Sequence, residues 1–420
     1  METIFNKIRQ YNYWNGERFS IGFERTEYLD RISKYLDNKL IKVLVGQRRV
    51  GKSYILRQII NFLITEKKVN PENIFYLNKE YLAFEDIRTA DDLDKLFGFY
   101  KEKIRPKGKI YLFLDEIQNI SSWEIFVNNY AQDFTEEYEL FITGSNSQLL
   151  SGELASLLSG RYVEFNIYPF SFFEFSEYKN LPVEKKSFIL YLQTGGLPEI
   201  LHFEEDEITG HYVESLKNTI LLRDIIQRYK VKDVSLIEDI FKFLAVNIGN
   251  FTSVSTIVKY FKSRQRKTNY ETLSSYVSYL TDTFIIHEVE RYQVRGKQTL
   301  AGVRKYYLND LAFKNYLFGI YPSDIGYNLE NYIFIQLKRM GYKVSVGVIN
   351  GKEIDFVAEK GDNTLYFQVA YLLNDKKTTE REYGNLLMIK DNYEKIVVSL
   401  DDIKFSDYKG IKHIFPWELK

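Results

Sequence analysis

Two kinds of hydrophobic spacing divide this chain. Up to about residue 167, short, largely apolar runs at 43–45, 73–77, 110–114, 140–143 and 162–165 alternate with stretches of helical spacing. Such runs are what strands buried on both faces require. The alternation therefore predicts an α/β fold with a parallel sheet over residues 1–167, led in by a helix at 26–36. The aromatic cluster Tyr168, Phe170, Phe172, Phe173 and Phe175 suits helices docked as a lid over 168–234. That region breaks at 193–199 and resumes as one long helix over 212–228.

The spacing then changes twice. Amphipathic helices at 236–246, 253–261 and 270–282 precede strands at 284–292 and 302–308, joined by a polar loop. Three helices and a two-stranded ribbon predict a winged helix-turn-helix over 235–322. Residues 323–420 read as a helix at 330–340, strands at 342–348, 353–358 and 365–370, a helix at 380–388 and a strand at 395–400.

Chemistry enters where the first strand ends. Gly46, Gln47, Arg48, Arg49, Val50, Gly51, Lys52 and Ser53 spell G-x-x-x-x-G-K-S, with Tyr54 continuing into a helix. Strand, glycine-bounded loop and helix form the setting of a P-loop. Backbone N–H groups wrap a phosphate chain, and the helix N-terminus favours its charge. The Lys52 ammonium reaches the β- and γ-phosphates of ATP, and the Ser53 hydroxyl is a ligand for Mg²⁺. The run at 110–114 ends in Asp115 and Glu116. A doubly buried strand has no place for acids inside, so both belong at its carboxyl edge, where open α/β sheets bind ligands. Asp115 is expected to anchor Mg²⁺, and Glu116 to orient and polarise the attacking water. The run at 140–143 also ends in small polar groups, and Asn146 or Ser145 is the candidate for contacting the γ-phosphate or the water.

This order of elements resembles the AAA-type ATPases. The resemblance implies that the polar strand lies between the P-loop strand and the Asp-Glu strand. It also makes Arg161, just before the last strand of the sheet, a candidate finger for transition-state charge, in cis or from a neighbouring subunit. Further on, the α-β-β-β-α-β order resembles the PD-(D/E)XK nuclease fold. Glu330, Asp355 and Gln368 match its acid on the first helix, its Asp on the second strand and its Glu or Gln on the third, but Ala370 stands where that family has lysine. The match implies a degenerate nuclease site that is expected not to cleave, unless Lys376 or Lys377 substitutes. Gly-Gly-Leu-Pro-Glu at 195–199, Leu-Leu-Arg-Asp at 221–224 and Phe-Gln-Val-Ala at 367–370 extend the likeness, from Gly46 to about Trp417. They resemble bacterial and archaeal AAA-type ATPases that carry a C-terminal domain of unknown function.

Composition narrows the partners. Lys plus Arg and Asp plus Glu both number 57, so no global field draws the chain to nucleic acid. DNA contact would have to be local, through Arg264, Arg266, Lys267, Arg295 and Lys297 around the winged helix. The chain has no cysteine, which excludes disulfides, thiolate metal sites and cysteine nucleophiles. No apolar run approaches the ~20 residues of a membrane helix, and the first residues lack a signal-peptide core, so a cytoplasmic protein is expected. The functional expectation is Mg²⁺-dependent ATP hydrolysis that repositions the C-terminal modules. The alternatives are a slow-turnover ATP-binding scaffold contacting protein partners, as a monomer or homo-oligomer, and an ATP-controlled nuclease.

Overall fold

The computed structural model describes residues 2–16, 18–147, 158, 160–373 and 376–420, with Lys376 by its backbone alone. They fall into two compact units, Met1–Ile167 and Tyr168–Lys420.

In the first unit five strands form one sheet: β1 (Ile41–Val45), β2 (Ile74–Asn78), β3 (Ile110–Asp115), β4 (Tyr138–Gly144) and β5 (Tyr162–Asn166). Their order is β2-β3-β4-β1-β5, and every pairing is parallel. This is the expected α/β sheet, with the polar-ended β4 between the P-loop strand β1 and the Asp-Glu strand β3. All residues of β1 to β4 are buried, which is why those runs lack alternation. The helix Lys52–Thr65 buries Ile55, Leu56, Ile59, Ile60 and Leu63 against the sheet. On the sheet, Phe113 and Phe141 stack at 4.5 Å.

A charged pair is buried within the strands. Lys42 lies inside β1, and its ammonium meets Glu139 Oε1 of β4 at 2.6 Å, both side chains fully buried. Lys109 reaches the other oxygen at 2.7 Å. An unpaired charge there would carry a desolvation cost of several kcal/mol, so this triad favours the β1–β4 neighbourhood over other arrangements.

The second unit opens with helices Phe172–Lys179, Lys185–Thr194 and Asp206–Thr219. The long helix expected over 212–228 is not continuous. A π-helical stretch, Ile220–Ile226, replaces its middle and leaves one α turn after it. The wide turn buries Leu221 and Asp224 and exposes Leu222 and Arg223, all four from the Leu-Leu-Arg-Asp motif. Helical spacing alone does not distinguish an inserted residue from a regular turn.

Helices Val234–Val246, Val254–Ser263 and Tyr270–Asp282 follow. Asp233, Ser253 and Asn269 cap them by accepting the backbone N–H three residues on. The ribbon strands β6 (Ile286–Gln293) and β7 (Gln298–Leu308) form the expected antiparallel pair. They do not stand free as a wing. After the helices Ala312–Phe318 and Ile325–Arg339 come β8 (Lys343–Ile349), β9 (Lys352–Lys360), β10 (Asn363–Ala370), the helix Lys376–Leu387, β11 (Glu394–Ser399) and β12 (Ile411–Ile414). All belong to one seven-stranded sheet, β12-β11-β10-β9-β8-β6-β7, in which β6 pairs in parallel with β8. The free edge of β6 is thereby satisfied, as an unpaired strand edge demands. Alternation in a strand shows which face is buried but not which neighbour it takes.

Candidate functional site

The P-loop is fixed by its backbone before any side chain acts. Gly46 has φ +154°, and a Cβ there would lie 2.2 Å from the carbonyl oxygen of Ile167. Gly51, at φ +96°, turns the chain into the helix at Lys52. Between them Val50 is buried in the core, and its carbonyl accepts a bond from the buried Arg25 guanidinium at 3.2 Å. Gln47 is buried, Arg48 is ion-paired with Glu80, and Arg49 is exposed. Tyr54 is exposed beside Gly22, with Arg57 over its ring at 5.1 Å.

Lys52, Ser53, Asp115 and Glu116 meet at the carboxyl edge of the sheet. The Lys52 ammonium donates to the carbonyls of Gly46 and Gln47 at 3.0 and 3.1 Å and sits 3.3 Å from Glu116 Oε1. Ser53 hydrogen-bonds Asp115. Asp115 is fully buried, and burial pushes its carboxyl up, with the Glu116 charge adding to the rise. Bonds from Thr143, Ser53 and Tyr76 counter it. Glu116 goes the other way. Burial pulls it up, but Lys52, the Gln118 amide and Arg48 outweigh burial and hold it below the usual range. Two neighbouring acids pushed apart in this way are a frequent sign of an acid–base site. Glu116 also has φ +55°, a left-handed backbone that side chains of its kind rarely adopt.

The supporting residues were not foreseen. Thr143 of β4 donates to Asp115 Oδ1 at 2.5 Å and accepts the Glu116 N–H at 2.9 Å. Asn78 and Tyr76 of β2 donate to Asp115 Oδ2 at 2.8 and 3.0 Å. Gln118 donates to Glu116 Oε2 at 2.5 Å. The one sequence signal was that β2 and β4 both end in polar residues. Of the two residues offered for contact with the γ-phosphate, Ser145 hydrogen-bonds Glu116, and Asn146 is fully buried at the same edge. Ser53 and Asp115, a hydroxyl and a carboxylate already in contact, are a donor set that suits a hard cation such as Mg²⁺.

Arg161 is not part of this cluster. Its carbonyl accepts the N–H of Ile41, at the start of β1, whereas the P-loop leaves the end of β1. The five residues of β1 put it roughly 16 Å away along the strand, so the cis role is not served by this geometry. The side chain is exposed.

In the second unit Gln368, Asp355 and Glu330 do converge, joined by Glu353, which the motif match omitted. Oxygens of Glu330, Glu353 and Asp355 lie within 4.8 Å of one another. Glu353 precedes Asp355 by two residues on β9, so strand alternation puts both on one face. Gln368 accepts the Asp355 N–H at 3.2 Å and donates to Glu382 at 2.8 Å. Ala370 is buried in an apolar cluster with Leu373, Tyr383 and Leu386, where a lysine would have no water. Lys377 is exposed, and the Lys376 side chain lies outside the described residues. Of the basic residues near the three helices, Arg264, Lys267, Arg295 and Lys297 are exposed. Arg266 is instead bonded to Asp239 at 2.6 Å, Asp233 at 3.1 Å and Ser235 at 3.0 Å, so it clamps helices and is not available to a phosphate. Among the described residues no helix is long and apolar enough to cross a membrane.

The Gly-Gly-Leu-Pro-Glu motif has a structural reason. Gly196 N–H donates to Asp310 Oδ2 at 2.7 Å, and a Cβ at Gly195 would lie 2.2 Å from Asp310 Oδ1.

Residues 38–176 match an AAA domain, and residues 185–324 a domain of unknown function (DUF8612). An uncharacterized protein of Methanocaldococcus jannaschii is 30% identical over 83% of this chain and 78% of its own length. Similar solved structures include the ORC1 protein of Aeropyrum pernix in complex with DNA, at 15% identity over 71% of this chain and 93% of that one, with a TM-score of 0.33. Another is the RuvB Holliday junction branch migration motor of Thermotoga maritima, at 16% identity over 64% and 90%, with a TM-score of 0.34. An uncharacterized protein of Haemophilus influenzae is 36% identical over 93% of this chain and 96% of its own length. The chain therefore belongs to the same family as that protein, one built on an AAA-type P-loop domain.

Proposed function

We propose that the chain binds ATP with Mg²⁺ and hydrolyses it, using the cycle to reposition its C-terminal modules. The observation that carries this reading is the meeting of Lys52, Ser53, Asp115 and Glu116 in one buried spot, with Glu116 held in its charged form. The P-loop amides and Lys52 hold the phosphates. Ser53, and Asp115 through water, would hold Mg²⁺, which would supply positive charge against the phosphates. Glu116 takes a proton from water as its oxygen attacks the γ-phosphorus and the bond to ADP breaks. Thr143 ties the Asp115 carboxylate to the backbone of Glu116.

A second reading is a slow ATP-binding scaffold. It is favoured by one detail: Glu116 oxygens are engaged by Lys52 and Gln118, so the base must exchange a partner before it can meet water. Local contact with DNA through Arg264, Lys267, Arg295 and Lys297 is compatible with either reading.

Turnover of the Glu116→Gln variant tests the proposal. Binding of a fluorescent ATP analogue should persist, because size and polarity are kept. Hydrolysis should fall by a few hundredfold, as loss of roughly 3–4 kcal/mol of transition-state stabilisation implies. Wild-type turnover in this variant would remove Glu116 from the reaction.

A further inference from the structure

The nuclease-like module implies a divalent ion among Glu330, Asp355 and Gln368, and the residues present do not fit one. We propose that the Lys305 ammonium is the permanent cation of this cradle, and that the module works without metal. Lys305 comes from β7, outside the three places of the motif. Its Nζ lies 2.8 Å from Glu330 Oε1 and 2.5 Å from Glu353 Oε1, with the side chain 5% exposed. The ring of Phe251 covers it at 5.2 Å. These are two of the three carboxylates whose oxygens would have to surround an ion.

Further atoms of the cradle are engaged within the protein. Glu330 Oε1 accepts from Tyr307 OH at 2.5 Å in addition to Lys305. Asp355 Oδ2 accepts the Val369 N–H at 2.7 Å. Both ends of the Gln368 amide are used within the protein. A hard divalent ion needs six or more oxygens at about 2.0–2.6 Å. It would have to share Glu330 and Glu353 with an ammonium already at bonding distance, and the two cations would repel at close range. Access is not the obstacle, because the cluster opens onto a cleft of about 410 Å³.

A lysine that merely assisted a metal-bound water would leave the ligand oxygens free. Here the lysine takes one oxygen each of Glu330 and Glu353. Its position also accounts for Ala370: the positive charge has been supplied from β7 to the acids themselves, and position 370 has joined the apolar core.

Isothermal titration of the full chain with Mn²⁺, without nucleotide, tests this. Asp355→Ala in each background identifies binding at the cradle. The wild type should show no binding that Asp355→Ala removes. Lys305→Met should bind Mn²⁺ there roughly tenfold more tightly or better, since three carboxylates are left without a counter-charge. If Lys305→Met is unstable for the same reason, Mn²⁺ should raise its melting temperature while leaving that of Lys305→Met/Asp355→Ala unmoved. Wild-type binding lost in Asp355→Ala would overturn the proposal. So would a Lys305→Met protein that neither gains Mn²⁺ affinity nor is stabilised by it.

Discussion

Thr143 donates its hydroxyl to Asp115 Oδ1 at 2.5 Å while the same oxygen accepts the backbone N–H of Glu116 at 2.9 Å. One side chain on β4 thus holds the Asp115 carboxylate at the end of β3 and the backbone of Glu116 just beyond it. Thr143→Val keeps the shape and removes both bonds. It leaves a buried N–H unsatisfied, a penalty of about 1–3 kcal/mol. Because the acids act on the transition state, kcat for ATP should fall by roughly tenfold or more while ATP affinity changes little. Thr143→Ser keeps the hydroxyl and should recover most of the rate. Equal losses in both variants would reduce Thr143 to a packing residue.

Arg161 and Val45 lie at opposite ends of the β1–β5 pair, because Arg161 precedes Tyr162, whose partner is Ile41. A finger at this place can serve only a neighbouring subunit. Arg161→Ala should therefore lower turnover without weakening ATP binding. Mixing it with Lys52→Ala should restore part of the activity, since each copy supplies what the other lacks. Recovery requires an oligomer, so the solution mass with ATP belongs to the same experiment. If Arg161→Ala turns over normally, the residue has no part in the cycle.

The P-loop was legible because its information is local: two glycines, a lysine and a serine between a strand and a helix. Asp115 and Glu116 were legible because acids ending a buried strand have one place to go. Thr143, Asn78 and Tyr76 were not, since a polar residue near a strand end reads equally well as the start of a turn. Only the β2-β3-β4 neighbourhood aims them at Asp115. Lys305 was hidden for the same reason. Nothing in its own strand points to Glu330 and Glu353, which are 25 and 48 residues away in the chain. The pairing of β6 with β8 and the π-helical stretch at Ile220–Ile226 likewise depend on tertiary neighbours that spacing does not encode.

Arg264, Lys267, Arg295 and Lys297 are exposed, whereas Arg266 bridges Asp233 and Asp239. The helix Tyr270–Asp282 carries no lysine or arginine to read bases. Any duplex binding should thus follow counterion release and fall steeply with salt. Reversing the four exposed charges should flatten that salt dependence. Arg266→Ala should leave the slope nearly unchanged and lower the melting temperature instead, as it removes a clamp between helices. Fluorescence anisotropy at several salt concentrations checks both. A slope that Arg266→Ala alone flattens would reverse the assignment.

His287 on β6 offers a pH test of the second unit. Its ring packs against Phe334 and Tyr168, and Nε2 meets Asn309 Oδ1 at 3.0 Å. Burial, with some help from Lys338, pulls its pKa from 6.5 to about 4 against the Asn309 bond. The folded form thus stays neutral where the unfolded chain takes up a proton. The stability it contributes is full above pH 6.5 and is lost as pH falls to about 4. The residue keeps partial exposure, so solvent screening trims the loss to about 1–2 kcal/mol. Asp310, pushed up to about 7 by burial, gives a slope of opposite sign over the same range. The difference between wild type and His287→Gln isolates the histidine. Urea unfolding can be followed at Trp417 in a Trp14→Phe/Trp123→Phe background, since the other two of the three tryptophans lie in the first unit. His287→Gln should be less stable than the parent at pH 7.5 and close that gap by pH 4.5. A gap independent of pH would mean that the ring accepts its proton equally well in both states.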